Sequence, residues 1–282
     1  MMNSLILSFI AFWLGRAQPE TSSTGISWQQ AEDGLAFAEV AMPLKSSIGN
    51  SRINLIRIDP EKFIFRLLCA TENGFQKKKI QEWCEPRNIL AAVNAGMFHG
   101  YNAIESHQGL TNTGYTRNYK HLNNPALNSD KACICFNPKD SSMPAFQIAD
   151  RSCQNFQALM NSYNTVIQGI RLFDCNQNVV WQKDKKKWSM CVMLTDRKGL
   201  VYFAHCRSPY TVNSFCNQLK MLLPELKRGI YLEGGPESSL YLNTASQKWG
   251  LMGSYETGFW EDDSNQDLWP LANVVGIVRP TR

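Results

Sequence analysis

The stretch from Gly229 to Leu242 constrains this chain more than any other. An apolar run, Ile230-Tyr231-Leu232, ends abruptly in Glu233. Gly234-Gly235-Pro236 follows, then Glu237, Ser238 and Ser239, then a second strand-like run from Leu240 to Leu242. The pattern predicts two buried strands joined by a glycine-dependent turn. Glycine at a strand end also lets a ligand approach the backbone closely. Glu233, Glu237 and two hydroxyls therefore stand where a polar substrate can reach them. The plain alternative is a tight turn with solvated acids, since most loops do no chemistry.

A second stretch has the same form. The apolar run from Ile89 to Val93 ends in Asn94-Ala95-Gly96-Met97-Phe98. Taken with Glu233-Gly234-Gly235-Pro236-Glu237-Ser238, it resembles the phosphodiester glycosidase family. That family pairs an Asn-Gly-Gly-Phe-Phe or Asn-Ala-Gly-Phe-Phe motif with an Asp-Gly-Gly-x-Ser motif. The resemblance covers roughly residues 35 to 280. Glu233 stands where the family has Asp, one methylene longer. Trp188 and Ser189 occupy the place of a family Arg, with Lys187 the nearest cation. Gly109-Leu110 and Gln168-Gly169 also match family segments.

Composition narrows the class. The 282 residues include 29 basic and 24 acidic side chains, a net charge of +5. That balance lacks the broad basic stripe of a nucleic-acid binder, so no nucleic-acid partner is expected. The apolar run from Ser4 to Leu14 is too short to span a bilayer comfortably, and Gly15-Arg16-Ala17 offers small residues for cleavage. Residues 1–17 are therefore expected to be a signal peptide and 18–34 a polar extension. Residues 35–282 are expected to form one domain, exported to a periplasm or medium, with no stable membrane insertion. An uncleaved anchor is the alternative. The nine cysteines are odd in number and lie mostly in apolar runs. They read as buried thiols, with one or two bridges if the protein is exported.

Alternating runs at 35–42, 52–59 and 63–69 predict an antiparallel meander. A short helix is expected over 73–83, a helix over 152–163, and a Thr211-capped helix to Leu223. Further strands are expected at 132–136, 146–149, 165–169, 178–182, 188–195, 200–206, 226–233 and 273–278. The class is α+β: mixed, largely antiparallel sheets with a few packed helices. The aperiodic loop 99–130 carries His99, Glu105, His107, Arg117 and His121, without the His-x-x-x-His spacing of a zinc helix. A metal is left open and no cofactor is expected.

The resemblance implies a hydrolase that cleaves a sugar–phosphate glycosidic bond, with a carbohydrate or sugar-phosphate substrate. Glu233 is then the carboxylate acting at the anomeric carbon, Glu237 a second acid or base, and Asn94 a hydrogen-bond partner of sugar or water. Arg207, at an expected strand end near a helix N-terminus, would hold phosphate with Ser238, Ser239 and the Gly234 and Gly235 amides. A surface Arg in a salt bridge is the competing reading. His205 and Gln168 are further binding candidates, and Tyr255 and Trp260 would stack on the sugar. Two other functions compete: a non-catalytic envelope glycan binder on the same scaffold, and a metal-assisted hydrolase.

Overall fold

The computed structural model describes residues 20–21, 25–99 and 107–280; the expected signal peptide and Glu105 lie outside them. In chain order the strands are β1 (Glu20–Thr21), β2 (Ser27–Glu32), β3 (Leu35–Ala41), β4 (Arg52–Ile58), β5 (Ile64–Cys69), β6 (Ala91–Asn94), β7 (Thr116–Asn118), β8 (His121–Asn124) and β9 (Ala132–Pro138). They continue with β10 (Phe146–Asp150), β11 (Tyr163–Arg171), β12 (Trp188–Asp196), β13 (Val201–Tyr210), β14 (Leu226–Gly234), β15 (Ser239–Asn243), β16 (Lys248–Met252) and β17 (Asn273–Val278). The helices are α1 (Ile80–Cys84), α2 (Phe156–Ser162) and α3 (Val212–Leu222).

Two sheets result. The larger has twelve strands and runs β1-β2-β3-β4-β13-β12-β14-β11-β7-β8, with β9 on β11 and β10 on β9. The smaller runs β16-β15-β6-β17-β5. Every ladder among the described residues is antiparallel. Alternate residues of both sheets fill one core between them: Ile56, Met193, Phe203 and Ile230 from the larger, Phe65, Val93, Leu240 and Val275 from the smaller. The outer face of the larger sheet is covered by α3 through Phe215, Cys216 and Leu219. The outer face of the smaller is covered by α1 through Ile80 and Trp83. The molecule is thus mostly antiparallel β, and α+β describes it only coarsely.

Local chemistry explains the matches and the departures. Thr211 caps α3 as expected, its Oγ1 accepting from the Ser214 N–H at 3.2 Å. The helix expected over 73–83 is only five residues long. Gly74 and Phe75 adopt φ of +83° and +57°, which no right-handed helix accommodates. The strand expected at 178–182 is a single bridge from Val179 to Phe173. There Asp174 Oδ1 accepts from the Asn176 and Asn178 amides, folding the segment into a turn. Part of the segment read as a polar extension is strand β2, whose Trp28 is buried.

Cys153 and Cys175 form a disulfide, and the seven other cysteines are buried free thiols. Among the described residues no helix is long and apolar enough to cross a membrane.

Candidate active site

β14 lies in the larger sheet and β15 in the smaller, so Gly234-Gly235-Pro236 is the chain's passage from one sheet to the other. The β12–β14 ladder slips at this end: Cys191 opposes Glu233, while Val192 opposes Tyr231. A bulge of this kind re-aims side chains at a strand end. Gly235 then adopts φ +66°, and residues 235–237 form a single 3-10 turn. A Cβ on Gly235 would sit 2.6 Å from Glu256 Oε2, so only glycine leaves room for that carboxylate.

The turn is held from both sides. Asn94, at the end of β6 and fully buried, donates from Nδ2 to the Glu237 carbonyl at 3.1 Å. Its Oδ1 accepts from the Ser239 N–H at 2.8 Å and from the Cys191 thiol at 3.2 Å. The Gly253 N–H donates to the Ser238 carbonyl at 2.7 Å, tying the loop after β16 to the same turn. Glu256 on that loop is fixed by exchanging backbone hydrogen bonds with Trp260.

These elements enclose a cavity of about 270 Å³ lined by Met97, Phe98, Trp181, Trp188, Tyr231, Glu233, Gly234, Glu237 and Glu256. Three carboxylates and four aromatic rings meet there. Burial pushes the Glu233 carboxyl well above the usual range, and the Glu237 charge adds to this. The Gly234 N–H, donating to Glu233 Oε1 at 3.1 Å, opposes the shift in part. Burial raises Glu237 to about 7, with Glu256 adding to the rise and its own backbone amide and Lys77 working against it. Glu256 is raised by burial and restrained by a hydrogen bond involving Trp188. The Lys77 ammonium lies 4.4 Å from the centroid of the Phe98 ring.

Glu233 and Glu237 stand together at the cavity with Gly234, whose N–H, expected to hold phosphate, is taken by Glu233 Oε1. The other expected site residues do other work. Asn94 grips the turn's backbone and is not on the cavity wall. Arg207 lies inside β13, which runs on to Tyr210 and pairs its last residue with Trp188. Its guanidinium pairs with Asp263 and donates to the Asp263 and Asn265 carbonyls at 2.9 and 2.7 Å. It is a clamp on the 253–265 loop, consistent with the salt-bridge reading. Ser238 and Ser239 direct their hydroxyls to the Gly235 and Glu237 carbonyls. Gln168 is buried, accepting from the Tyr115 and Asn128 amides and donating to the Asn128 and Asp130 carbonyls. His205 is 1% exposed, with neither ring nitrogen hydrogen-bonded, and burial lowers it to about 4. Tyr255 and Trp260 are absent from the cavity lining; Trp260 donates its indole N–H to Asp262 and packs edge-on against Trp269.

Tyr231, Trp181, Trp188 and Glu256 escaped the sequence reading. Tyr231 was available, since it lies two residues before Glu233 and strand residues two apart share a face. Glu256 sits inside the aromatic loop whose neighbours Tyr255 and Trp260 drew attention instead. Among the described residues, the groups with three metal-ligating atoms within 4.8 Å are Cys69-Glu72-His121 and Asp150-Cys153-Cys175. The cysteines of the second are the disulfide.

No family model matches this chain, and no curated protein matches it in sequence. Solved structures do match its fold. The catalytic domain of zebrafish N-acetylglucosamine-1-phosphodiester alpha-N-acetylglucosaminidase, auto-inhibited by its pro-peptide, superposes with a TM-score of 0.61 at 12% identity, covering 93% of this chain and 88% of that one. A hypothetical protein from Synechocystis gives 0.56 at 11% identity, covering 90% of this chain and 64% of that one. The shared property is the fold.

Proposed function

We propose that this chain is a hydrolase of the glycosidic bond in a sugar-1-phosphate diester. Water adds to the anomeric carbon, and the phosphate departs as a monoester. The observation that carries this reading is the pairing of Glu233 and Glu237 in one aromatic-walled cavity, where burial raises both carboxyls. Glu237, at about 7, is poised to exchange its proton near neutrality. Glycosidic cleavage asks for such a pair, one carboxylic acid and one carboxylate.

Glu233 then donates to the departing oxygen, and Glu237 serves the anomeric carbon or its attacking water. This order is the reverse of the sequence expectation, in which Glu233 carried the charge. The inversion follows from burial, which weighs more heavily on Glu233. Phosphate is a weak base and needs little protonation to leave. Lys77, whose charge reaches both glutamates, is the cation placed to offset its growing charge. The name of the zebrafish domain, which shares this fold, describes cleavage of the same type of bond.

The test is steady-state hydrolysis of aryl sugar-1-phosphate diesters by the purified chain, with a coupling phosphatase that frees the chromophore from the departing aryl phosphate. Release of chromophore that is abolished in Glu237→Gln and reduced in Glu233→Gln supports the reading. No release from any hexose derivative defeats it and leaves the glycan-binding alternative, which the engagement of Arg207 by Asp263 favours. Loss of activity on chelation, restored by one metal, would favour the metal-assisted alternative. Export, read from the short apolar run before Ala17, belongs to the same proposal; N-terminal sequencing of the secreted protein checks it.

A further inference from the structure

Glycosidic cleavage employs two carboxylates, and this cavity holds three. Glu256 is the surplus one. Its carboxylate lies over Gly235, and its backbone is fixed by Trp260 and bridged to Trp188. Its charge raises the proton affinity of both Glu233 and Glu237, so all three acids feel one another. The ionisable groups lining the cavity are these three glutamates and the Tyr231 phenol, and the Lys77 ammonium, over the Phe98 ring, acts on Glu233 and Glu237 from beside it.

Aromatic rings surround the acids. Trp181 and Tyr231 pack with centroids 5.4 Å apart, and Trp188 abuts Gly234. Ring faces attract cations, and Glu256, half removed from water, gains by meeting a counter-charge. A neutral ligand would leave the crowded acids holding their protons, whereas a cationic one would pair with the ionised form. A bound divalent ion is less suited, because the three glutamates are not among the groups whose ligand atoms gather within 4.8 Å.

We propose that the sugar unit taken by this cavity bears a free, protonated amine, recognised by Glu256 among the aromatic side chains of Trp181, Trp188 and Tyr231. The inference rests on the glycosidase reading and adds the substrate class: an unacetylated hexosamine in place of a neutral or N-acetylated hexose. Binding the ammonium displaces protons that the crowded carboxylates otherwise retain.

Titration calorimetry of the full chain at pH 7 tests this with glucosamine, N-acetylglucosamine and glucose, each in two buffers of different ionisation enthalpy. Glucosamine is expected to bind at least about tenfold tighter than the other two, the size of a desolvated cation–π and charge contact. Its apparent enthalpy should depend on the buffer, reporting proton release. Glu256→Gln should shrink the preference to roughly twofold, and Glu256→Asp, which keeps the charge, should retain most of it. Equal or tighter binding of the acetylated or neutral sugar overturns the proposal, as does no measurable glucosamine binding or a preference that survives in Glu256→Gln. The two readings fail separately. Diester hydrolysis without amine preference removes only the substrate class; amine preference without diester hydrolysis removes only the hydrolase.

Discussion

Asn94 holds Glu237 by its backbone: the Asn94 Nδ2 donates to the Glu237 carbonyl at 3.1 Å, across 143 residues of chain. Its Oδ1 takes the Ser239 amide two residues further on. One side chain of the smaller sheet thereby sets where an acid of the cavity stands.

Asn94→Ala should therefore lower turnover without contributing any contact to substrate. It also leaves the buried Ser239 amide without a partner, at about 1–3 kcal/mol. The expected result is a melting temperature lower by roughly 2–10 °C and a fall in kcat larger than the change in KM. A normal kcat in the folded variant would show that the turn holds its shape without Asn94.

The two cavity acids should respond differently to substitution. Glu237→Gln is expected to cost at least about a hundredfold in turnover on an aryl diester, and Glu233→Gln less, because phosphate needs little protonation to leave. With a very good leaving group, which needs no proton, the Glu233→Gln defect should shrink while that of Glu237→Gln persists. The reverse ordering would restore the sequence-based assignment. Glu233→Asp should retain partial activity.

Stability should depend on pH through the same acids. Glu237 holds its proton more tightly when folded, with a pKa of about 7, than in the open chain, where the ordinary value is 4.5. The folded state then binds more protons between about pH 4.5 and 7, so stability falls as pH rises through that window and levels off above it. Glu237→Gln removes this penalty. Its melting temperature should exceed that of the parent by roughly 3–8 °C at pH 8 and match it near pH 4.5. Differential scanning fluorimetry at the two pH values checks the sign.

Arg207 should behave as a clamp. Arg207→Ala and Asp263→Ala are expected to loosen the 253–265 loop alike, seen as faster proteolysis there, and the double variant should be no worse than either single one. A residue that bound phosphate directly would raise KM in Arg207→Ala and leave Asp263→Ala normal.

The sequence was most legible where chemistry is local. The Gly234-Gly235-Pro236 turn, the Thr211 cap and the placement of Glu233 and Glu237 follow from neighbours in the chain. It was least legible where a partner decides the role. Arg207 meets Asp263 fifty-six residues away, and periodicity reports only that a residue is buried or exposed. Gln168, Ser238 and Ser239 looked like ligand-binding polar groups because buried amides and hydroxyls must bond to something. Here that something is the protein's own backbone. Trp181, Trp188 and Glu256 enter the cavity from segments whose approach depends on the β12 ladder and the strap to Ser238.

The passage from β14 into β15 has a consequence for biosynthesis. One acid hangs from the larger sheet, its neighbour is pinned by the smaller, and the third rides on the loop after β16. A growing chain thus does not assemble the three-acid cavity until both sheets have closed on each other and residue 256 has emerged. The cavity arrives late, as a property of the finished sandwich, and a partly folded or truncated chain should lack the activity proposed for it.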